Sequence, residues 1–398
     1  MDLLEGAVPG NRVELVVDGP ACRVSLLELI QKAEHRVHLA TFIFRADEAG
    51  LAVAEALTAA ARRGVEARVL WDPKQSTSAL MDRAHSPGSE RVRAHADLRR
   101  ELENAGVKVA TMRPAGRRPI AFGGPIDHRK LAVGDDTALV MSHGVSDTYL
   151  YPEGEPSGHE RWHDATTRVA GPAVELLDGV FAGMWNHYAP DRCERSTIPS
   201  REAGSHEVVV LDAGPAGNPE LRRLYRDVLP RSADTRMIVE NPYAVDETVF
   251  EAWAQTAADR PELRITLIRP HPAVNDYIPP RAPGAQRVAE WVLRRHDDTL
   301  TDAGVEVREG DRAFAHLKLA AVDGTLAVHG SYNLSYRSAT KDPELAIVVQ
   351  GPEYPRQVLD LLEADAAAAQ PAGTEGGLPR ALGRALSPVA GAVQRLVG

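Results

Sequence analysis

The chain has 398 residues, of which 43% are hydrophobic and 26% charged, and a formal net charge of -10 at pH 7. That length suits two ordinary domains or one duplicated body, and the composition is that of a soluble globular protein. The acidic balance argues against a protein that coats nucleic acid, no apolar run approaches the roughly 18 residues of a membrane span, and Met1-Asp2-Leu3-Leu4-Glu5 lacks a secretory signal pattern, so a cytoplasmic location is expected.

Residues 13–17 alternate and run into Asp18-Gly19-Pro20, a strand and a turn. Helical spacing follows over 23–33, an apolar strand over 36–44, an alanine-rich helix over 47–63 closed by Gly64, and a strand over 65–71. Residues 97–104 read as a helix that leaves through Ala105-Gly106-Val107-Lys108-Val109 into another strand. Cys22 and Cys193 match no metal or redox spacing and read as separate thiols. Next comes Asp127-His128-Arg129-Lys130, with Asp135 five residues beyond the lysine.

His159-Glu160-Arg161-Trp162-His163 has the spacing of a zinc-protease motif, which needs both histidines on one helical turn. Here the string follows Pro152, Gly154, Pro156 and Gly158 and enters a strand-like 165–169. No metal and no cofactor is expected.

From about residue 207 the programme restarts: strand 208–211, helix 219–228, strand 237–239, helix 247–258, strand 263–268, helix 288–300. Ala303-Gly304-Val305-Glu306-Val307 then echoes the earlier Ala105 run immediately before His316-Leu317-Lys318. Strand side chains alternate, so His316 and Lys318 face one side. Residues 319–322, the Asp323-Gly324 turn and residues 325–328 read as a hairpin, with Gly330-Ser331-Tyr332-Asn333 beyond it. Imidazole, ammonium, hydroxyl and carboxamide together suit a phosphate group. Two such half-sites predict a duplicated α/β protein: two lobes, each a mixed, mostly parallel sheet flanked by helices, packed about a pseudo-two-fold axis that brings His128 and His316 into one cleft. The expected lobes are residues 11–195 and 206–365. Residues 366–398 are expected to be a linker and a candidate amphipathic tail, with Leu378, Leu382, Leu386, Val389, Val393 and Leu396 on one stripe that could rest on a membrane. The stretches 72–88, 113–125 and 270–283 read as loops.

The pattern H-x-K-x4-D-x6-G-S-x-N, complete at His316 to Asn333 and begun at His128, is the signature of the phospholipase D superfamily, which the chain resembles. The first half, through Phe42 to Asp47, Ala61 to Val65 and Trp162 to Asp164, and the second, through Asn241-Pro242-Tyr243 and Glu344, are similar to bacterial cardiolipin synthases and related phosphatidyltransferases. The resemblance implies a phospholipid or other phosphodiester substrate and a two-step transfer without metal. One histidine becomes a phosphohistidine and the other serves as acid and base, His128 being expected to attack. It implies phosphate contacts from Lys130 and Lys318 and from Asn333, Ser331, Ser142 and His143, and ring-orienting carboxylates at Asp164 and Glu344. Asp135 and Asp323 are expected to tie down the hairpins. Counting from His128 at the offset of the second motif puts Val145 where Asn333 stands, and Val145→Asn is expected to be tolerated. The rival expectations are a nuclease-like phosphodiesterase and a decayed lipid- or protein-binding module.

Overall fold

A computed structural model describes residues 4–78, 88–112, 125–151, 162–195, 200–214, 217–274, 290–310 and 314–373. Most of the three expected loops, His159 and Glu160, and the stretch 374–398 lie outside the described residues.

The first lobe contains β1 (Val8–Val17), β2 (Arg36–Thr41), β3 (Glu66–Trp71), β4 (Lys108–Thr111), β5 (Leu131–Val133), β6 (Thr137–Met141), β7 (Trp162–His163) and β8 (Ala165–Ala170). The second contains β9 (His206–Asp212), β10 (Arg236–Glu240), β11 (Arg264–Pro270), β12 (Glu306–Gly310), β13 (Phe314–Ala315), β14 (Leu319–Val322), β15 (Leu326–Gly330), β16 (Leu345–Gln350) and β17 (Gln370–Pro371). All but β7 and β13 join one 15-stranded sheet in the order β17-β12-β11-β10-β14-β15-β16-β9-β1-β8-β6-β5-β2-β3-β4. Read outward from the centre, the two lobes have the same strand order. Their first strands, β1 and β9, pair antiparallel at the seam, with Val8 opposite Val208 and Asn11 opposite His206. An antiparallel pair of equivalent strands is the geometry a two-fold axis demands.

The sheet is mixed, but parallel pairing is confined to β2-β3-β4 and β10-β11-β12. The expectation of mostly parallel lobes therefore fails. Helices 47–63 and 247–258 do make crossovers, observed at Glu48–Arg62 and Glu247–Asp259, but the hairpins β5-β6 and β14-β15 and the long central strands are antiparallel. Short tight turns can only reverse a chain.

Other differences are local. The strand expected to reach Phe44 stops at Thr41, and Phe44 makes an isolated bridge to Val145. The helix expected from residue 97 begins at Gly88. The helix expected over 288–300 is interrupted at Arg295-His296 and resumes as Asp297–Asp302, where the buried Arg269 takes the Leu293 carbonyl and the Asp297 carboxylate. The expected linker at residue 366 is ordered at its start. The helix Glu353–Ala368 carries Val358, Leu359 and Leu362 into the core, and Gln370–Pro371 then pairs with β12.

Two helices occupy equivalent places over the same face of the sheet, Ala173–Tyr188 in the first lobe and Glu353–Ala368 in the second. Leu177, Phe181 and Trp185 share one apolar cluster with Tyr354, Val358 and Leu362, so a single core spans the seam. Each opposite face has its own core, around Leu57 and Trp71 in one lobe and Trp253 and Leu267 in the other. No helix among the described residues is long and apolar enough to cross a membrane.

Candidate active site

Both histidines lie on extended lead-ins just before the inner hairpin strands, not within a strand, because their backbone partners come from the other lobe. The His128 N–H donates to Pro343 O at 2.9 Å, and the His316 N–H donates to His163 O at 2.8 Å. The second contact continues a two-stranded parallel pair between lobes, Phe314 opposite Trp162 and Ala315 opposite His163. Each lobe thus docks its motif on the segment that carries the other lobe's acid.

The carboxylates are exchanged in the same way. His316 Nδ1 lies 2.8 Å from Asp164 Oδ2, and His128 Nδ1 lies 3.2 Å from Glu344 Oε2 and 3.1 Å from Ser331 O. A ring nitrogen that donates to a carboxylate fixes the tautomer whose lone pair is on Nε2. The lysines stay with their own histidines: Lys130 Nζ donates to His128 O at 2.7 Å, and Lys318 Nζ donates to His316 O at 2.6 Å and reaches His316 Nε2 at 3.0 Å.

The electrostatics cross the junction as well. Burial, then the Lys318 charge, push His316 down to about 3 against the pull of Asp164, and Lys130 adds to the effect. His128 is lowered by burial and by Lys130, opposed by Glu344, with Lys318 contributing. Burial depresses Lys130 to about 8 and Lys318 to about 7, each held up by the carboxylates of both lobes. Asp164 would be raised by burial, but His316 and Lys318 hold it well below the carboxylate range. A carboxylate so placed stays ionised at neutral pH.

Several expected phosphate donors have other work. Ser142 Oγ donates to Asp164 Oδ1, Ser331 Oγ donates to Glu344 Oε2, and both hydroxyls are completely buried. They fix the carboxylates that fix the rings. His143 is buried too, with Nε2 2.7 Å from Thr166 Oγ1 and Nδ1 2.9 Å from Gly144 O, so neither nitrogen is left for a phosphate. Asn333 differs from these three: it is only partly buried, and neither its Oδ1 nor its Nδ2 is spent on a side-chain hydrogen bond among the described residues, which leaves the amide N–H groups as donors for a phosphate. Asp135 and Asp323 sit at the far hairpin ends, accepting the N–H groups of Glu34, His35 and Arg36 and of Asp234, Thr235 and Arg236.

The register corrects the expectation about Val145. Four residues lie between the paired Val133 and Ala138, whereas five lie between the equivalent Ala321 and Ala327. The first hairpin is one residue shorter, so Ser142 matches Ser331, Gly144 matches Asn333 and Val145 matches Leu334. Val145 is a core residue with no exposure, bonded through its backbone to Ile43 and Arg45. The missing carboxamide is at Gly144, where a Cβ would meet Ile43 Cβ at 3.0 Å, Ile43 O at 3.1 Å and Tyr149 Cε2 at 3.1 Å.

Sequence reasoning gave no site role to the rings that enclose His316. Trp162, Tyr149, Phe314 and Tyr243 have centroids 4.9, 5.6, 6.0 and 6.5 Å from it. It also missed Ser338, whose Oγ donates to Glu344 Oε1 at 2.6 Å, and Phe42, edge-on to His128 at 5.1 Å. Trp162, Phe42 and Tyr243 lie in the runs that carry the family resemblance, which was the available signal; Tyr149 has none.

Of the string with zinc-protease spacing, where no metal was expected, Trp162 and His163 are in a strand, and His163 bonds Asp18 and Asp365. Among the described residues, the group with spacing for a metal is His38, Glu66 and Cys193, which lies outside this site, with Glu66 paired to Arg68 and His38 Nδ1 in hydrogen-bond contact with Asp178.

The family model described as "Cardiolipin synthase, PLD-like domain" matches residues 26–152 and 230–366. Cardiolipin synthase A of Klebsiella pneumoniae is 26% identical over 356 residues, covering 86% of this chain and 67% of the relative. That of Escherichia coli O157:H7 is 26% identical over 354 residues, covering 86% of this chain and 66% of the relative, so the chain spans about two thirds of such relatives. The crystal structure of phosphatidylserine synthase from Haemophilus influenzae Rd KW20 superposes with a TM-score of 0.72 at 16% identity, covering 99% of this chain and 98% of that one. Polyphosphate kinase from Porphyromonas gingivalis superposes at 0.52 with 14% identity, over 96% of this chain and 53% of that one. At such identities these two structures speak for the fold.

Proposed function

The chain belongs to the family of cardiolipin synthase PLD-like domains, and from that premise we propose that it transfers or hydrolyses a phospholipid phosphodiester through a phosphohistidine, with no step assigned to a metal. It is an enzyme of the phospholipase D superfamily, of the phosphatidyltransferase or phosphodiesterase kind. Cardiolipin synthase-like transfer between phospholipids is the substrate reading its relatives support.

One observation carries the mechanism: two imidazoles at the lobe junction, each oriented through Nδ1 by the other lobe's carboxylate. In the first step the Nε2 lone pair of one ring forms an N–P bond while the P–O bond to the departing alcohol breaks. The departing oxygen takes a proton from the other ring. In the second step an acceptor alcohol or water returns a proton to that ring, its oxygen bonds phosphorus, and the N–P bond breaks. Lys130, Lys318 and the Asn333 amide meet the charge on the other phosphoryl oxygens.

The surroundings of the rings favour the reverse of the order expected from sequence. A nucleophile must start neutral and an acid must start protonated. His316, with its side chain 5% exposed among aromatic rings, resists protonation most; His128, 15% exposed, sits beside Glu344 and its serines. The reading therefore takes His316 as nucleophile and His128 as acid and base.

Incubation with phosphatidylglycerol, with phosphatidylcholine plus an alcohol, and with a nitrophenyl phosphodiester, each in the presence of chelator, tests the function. Rapid quenching and peptide mapping test the order, with phosphate expected on His316. Failure to turn over any of the three substrates would overturn the first, and phosphate on His128 the second. The proposed setting is the cytoplasmic face of a membrane, with residues 378–398 as a peripheral contact. Deleting the chain from Thr374 onward is expected to reduce sedimentation with anionic vesicles, and unchanged sedimentation would dispose of that contact.

A further inference from the structure

A polar chain, half-exposed at Asp18 and buried at Glu240, crosses the junction on the His316 side. His163 Nδ1 lies 2.6 Å from Asp18 Oδ1, and its Nε2 lies 3.2 Å from Asp365 Oδ2. Beyond Asp365 stands Glu240, 1% exposed, with its Oε2 buried and without a hydrogen-bond partner. Asp18 and His163 belong to the first lobe, Asp365 and Glu240 to the second.

The duplication supplies an internal control. Asp18 and Ala213 both donate their N–H to the carbonyl of a ring-orienting acid, Asp164 or Glu344. His163 and Pro343 both accept from a motif histidine. Glu240 and Ala40 lie opposite Leu319 and Leu131, one residue after the equivalent Val239 and Leu39. Asp365 and Trp185 hold the same place in two 16-residue helices. In the other half the whole chain is thus Ala213, Pro343, Ala40 and Trp185. The fold does not need these polar groups, and burying a carboxyl such as Glu240 is costly unless it is paired or protonated.

Position says what they serve. The His163 carbonyl receives the His316 N–H, and the next residue is Asp164, which holds the His316 ring. Any drift of His163 moves both supports of that imidazole. We propose that His163 is a positioning residue, a cationic clamp between Asp18 and Asp365 that locks the lobes together at β7 and β13 and holds Asp164 in line with His316. Burial alone would strip its proton, but the Asp18 and Asp365 hydrogen bonds outweigh burial and hold the ring at about 11, so it keeps two N–H donors through neutral pH. Burial, and then the Asp365 charge, raise Glu240 well above the carboxylate range.

The consequence for turnover rests on the function proposed above; the clamp itself does not. His163→Ala is expected to lower kcat on the order of 100-fold through misplacement of the dyad, with little change in KM. His163→Arg, a cation that can also bridge two carboxylates, is expected to restore most of it. Independently of any substrate, the His316 Nδ1–H resonance in ¹⁵N-edited spectra should broaden or shift in the alanine variant and return in the arginine variant. Asp18→Asn removes one arm at a half-exposed position that makes no helix-cap bond, and serves if His163→Ala does not fold. A smaller shift of the same resonance is expected there. An unmoved resonance in both His163→Ala and Asp18→Asn overturns the clamp, whereas a moved resonance in a protein that turns over no phosphodiester overturns only the proposed function.

Discussion

The two halves repeat one strand order yet surround their imidazoles differently. Trp162, Tyr149 and Phe314 lie against His316, and the matching places around His128 are Asp342, Ser338 and Ile126. Asp342 ties Arg337 and the Ile126 N–H, and Ser338 donates to Glu344. Both halves keep the backbone bonds that dock each motif on the other lobe, and both keep the exchanged acid. What has diverged is the medium around each ring, apolar on one side and hydrogen-bonding on the other. Duplicated geometry with unequal dielectric suits a reaction in which two like groups take unlike roles.

The strongest way to break this comparison is to remove one ring at a time. His128→Ala and His316→Ala are each expected to reduce turnover on the order of 10,000-fold or more, since a transfer needs both. Substantial turnover in either single variant would show that one half works alone. The orienting acids come next. Asp164→Asn and Glu344→Gln should each lower kcat on the order of 100- to 10,000-fold by releasing the ring tautomer, Asp164→Asn more, because its bond to the ring is 2.8 Å rather than 3.2 Å. Equal losses would make the difference in bond length irrelevant.

The hairpin difference can be sharpened from both sides. Asn333→Gly makes the second half like the first and should raise KM about 10-fold, the loss of one hydrogen bond to a charged group. Gly144→Asn should not give a gain, since Ile43 and Tyr149 fill the space; urea unfolding should show a loss of about 1–3 kcal/mol. Val145→Asn, expected from sequence to be tolerated, should cost about 1–3 kcal/mol by placing a carboxamide in the core. A gain of activity in either would contradict the register.

The gentlest effect is on pH. Lys318 and Lys130, depressed to about 7 and about 8, lose charge as pH rises through that window, so KM should increase several-fold by pH 9. Stability should improve over the same window. Between these values and the ordinary lysine value of 10.5, the unfolded chain binds more protons than the folded one, so their contribution to stability rises with pH. A KM and an unfolding midpoint that fell together would refute the assignment.

Much of this was legible in the chain. His128, Lys130, His316 and Lys318 and the repeated order of elements follow from motif spacing and hydrophobic periodicity, and the carboxylates Asp164 and Glu344 from the family resemblance. The exchange of acids between lobes was not, because spacing along a chain does not say which segment docks on which. The one-residue difference in hairpin length was hidden for a related reason: register depends on which residues pair, and a single slip turned Gly144 into Val145. Ser142, Ser331 and His143 looked like phosphate donors by type, and only their burial reveals partners elsewhere. The polar chain through His163 joins four residues from four distant segments, a pattern no local window contains.

The seam between β1 and β9 bears on how the enzyme comes into being. As synthesis proceeds, the amino-terminal half emerges with β1 as an open edge that has no neighbour on one flank, and with His128 lacking Glu344. An unpaired edge invites adhesion to other nascent chains until β9 arrives to cover it. Closing that edge and completing the reaction centre are the same event, so a truncated translation product would be both sticky and inert.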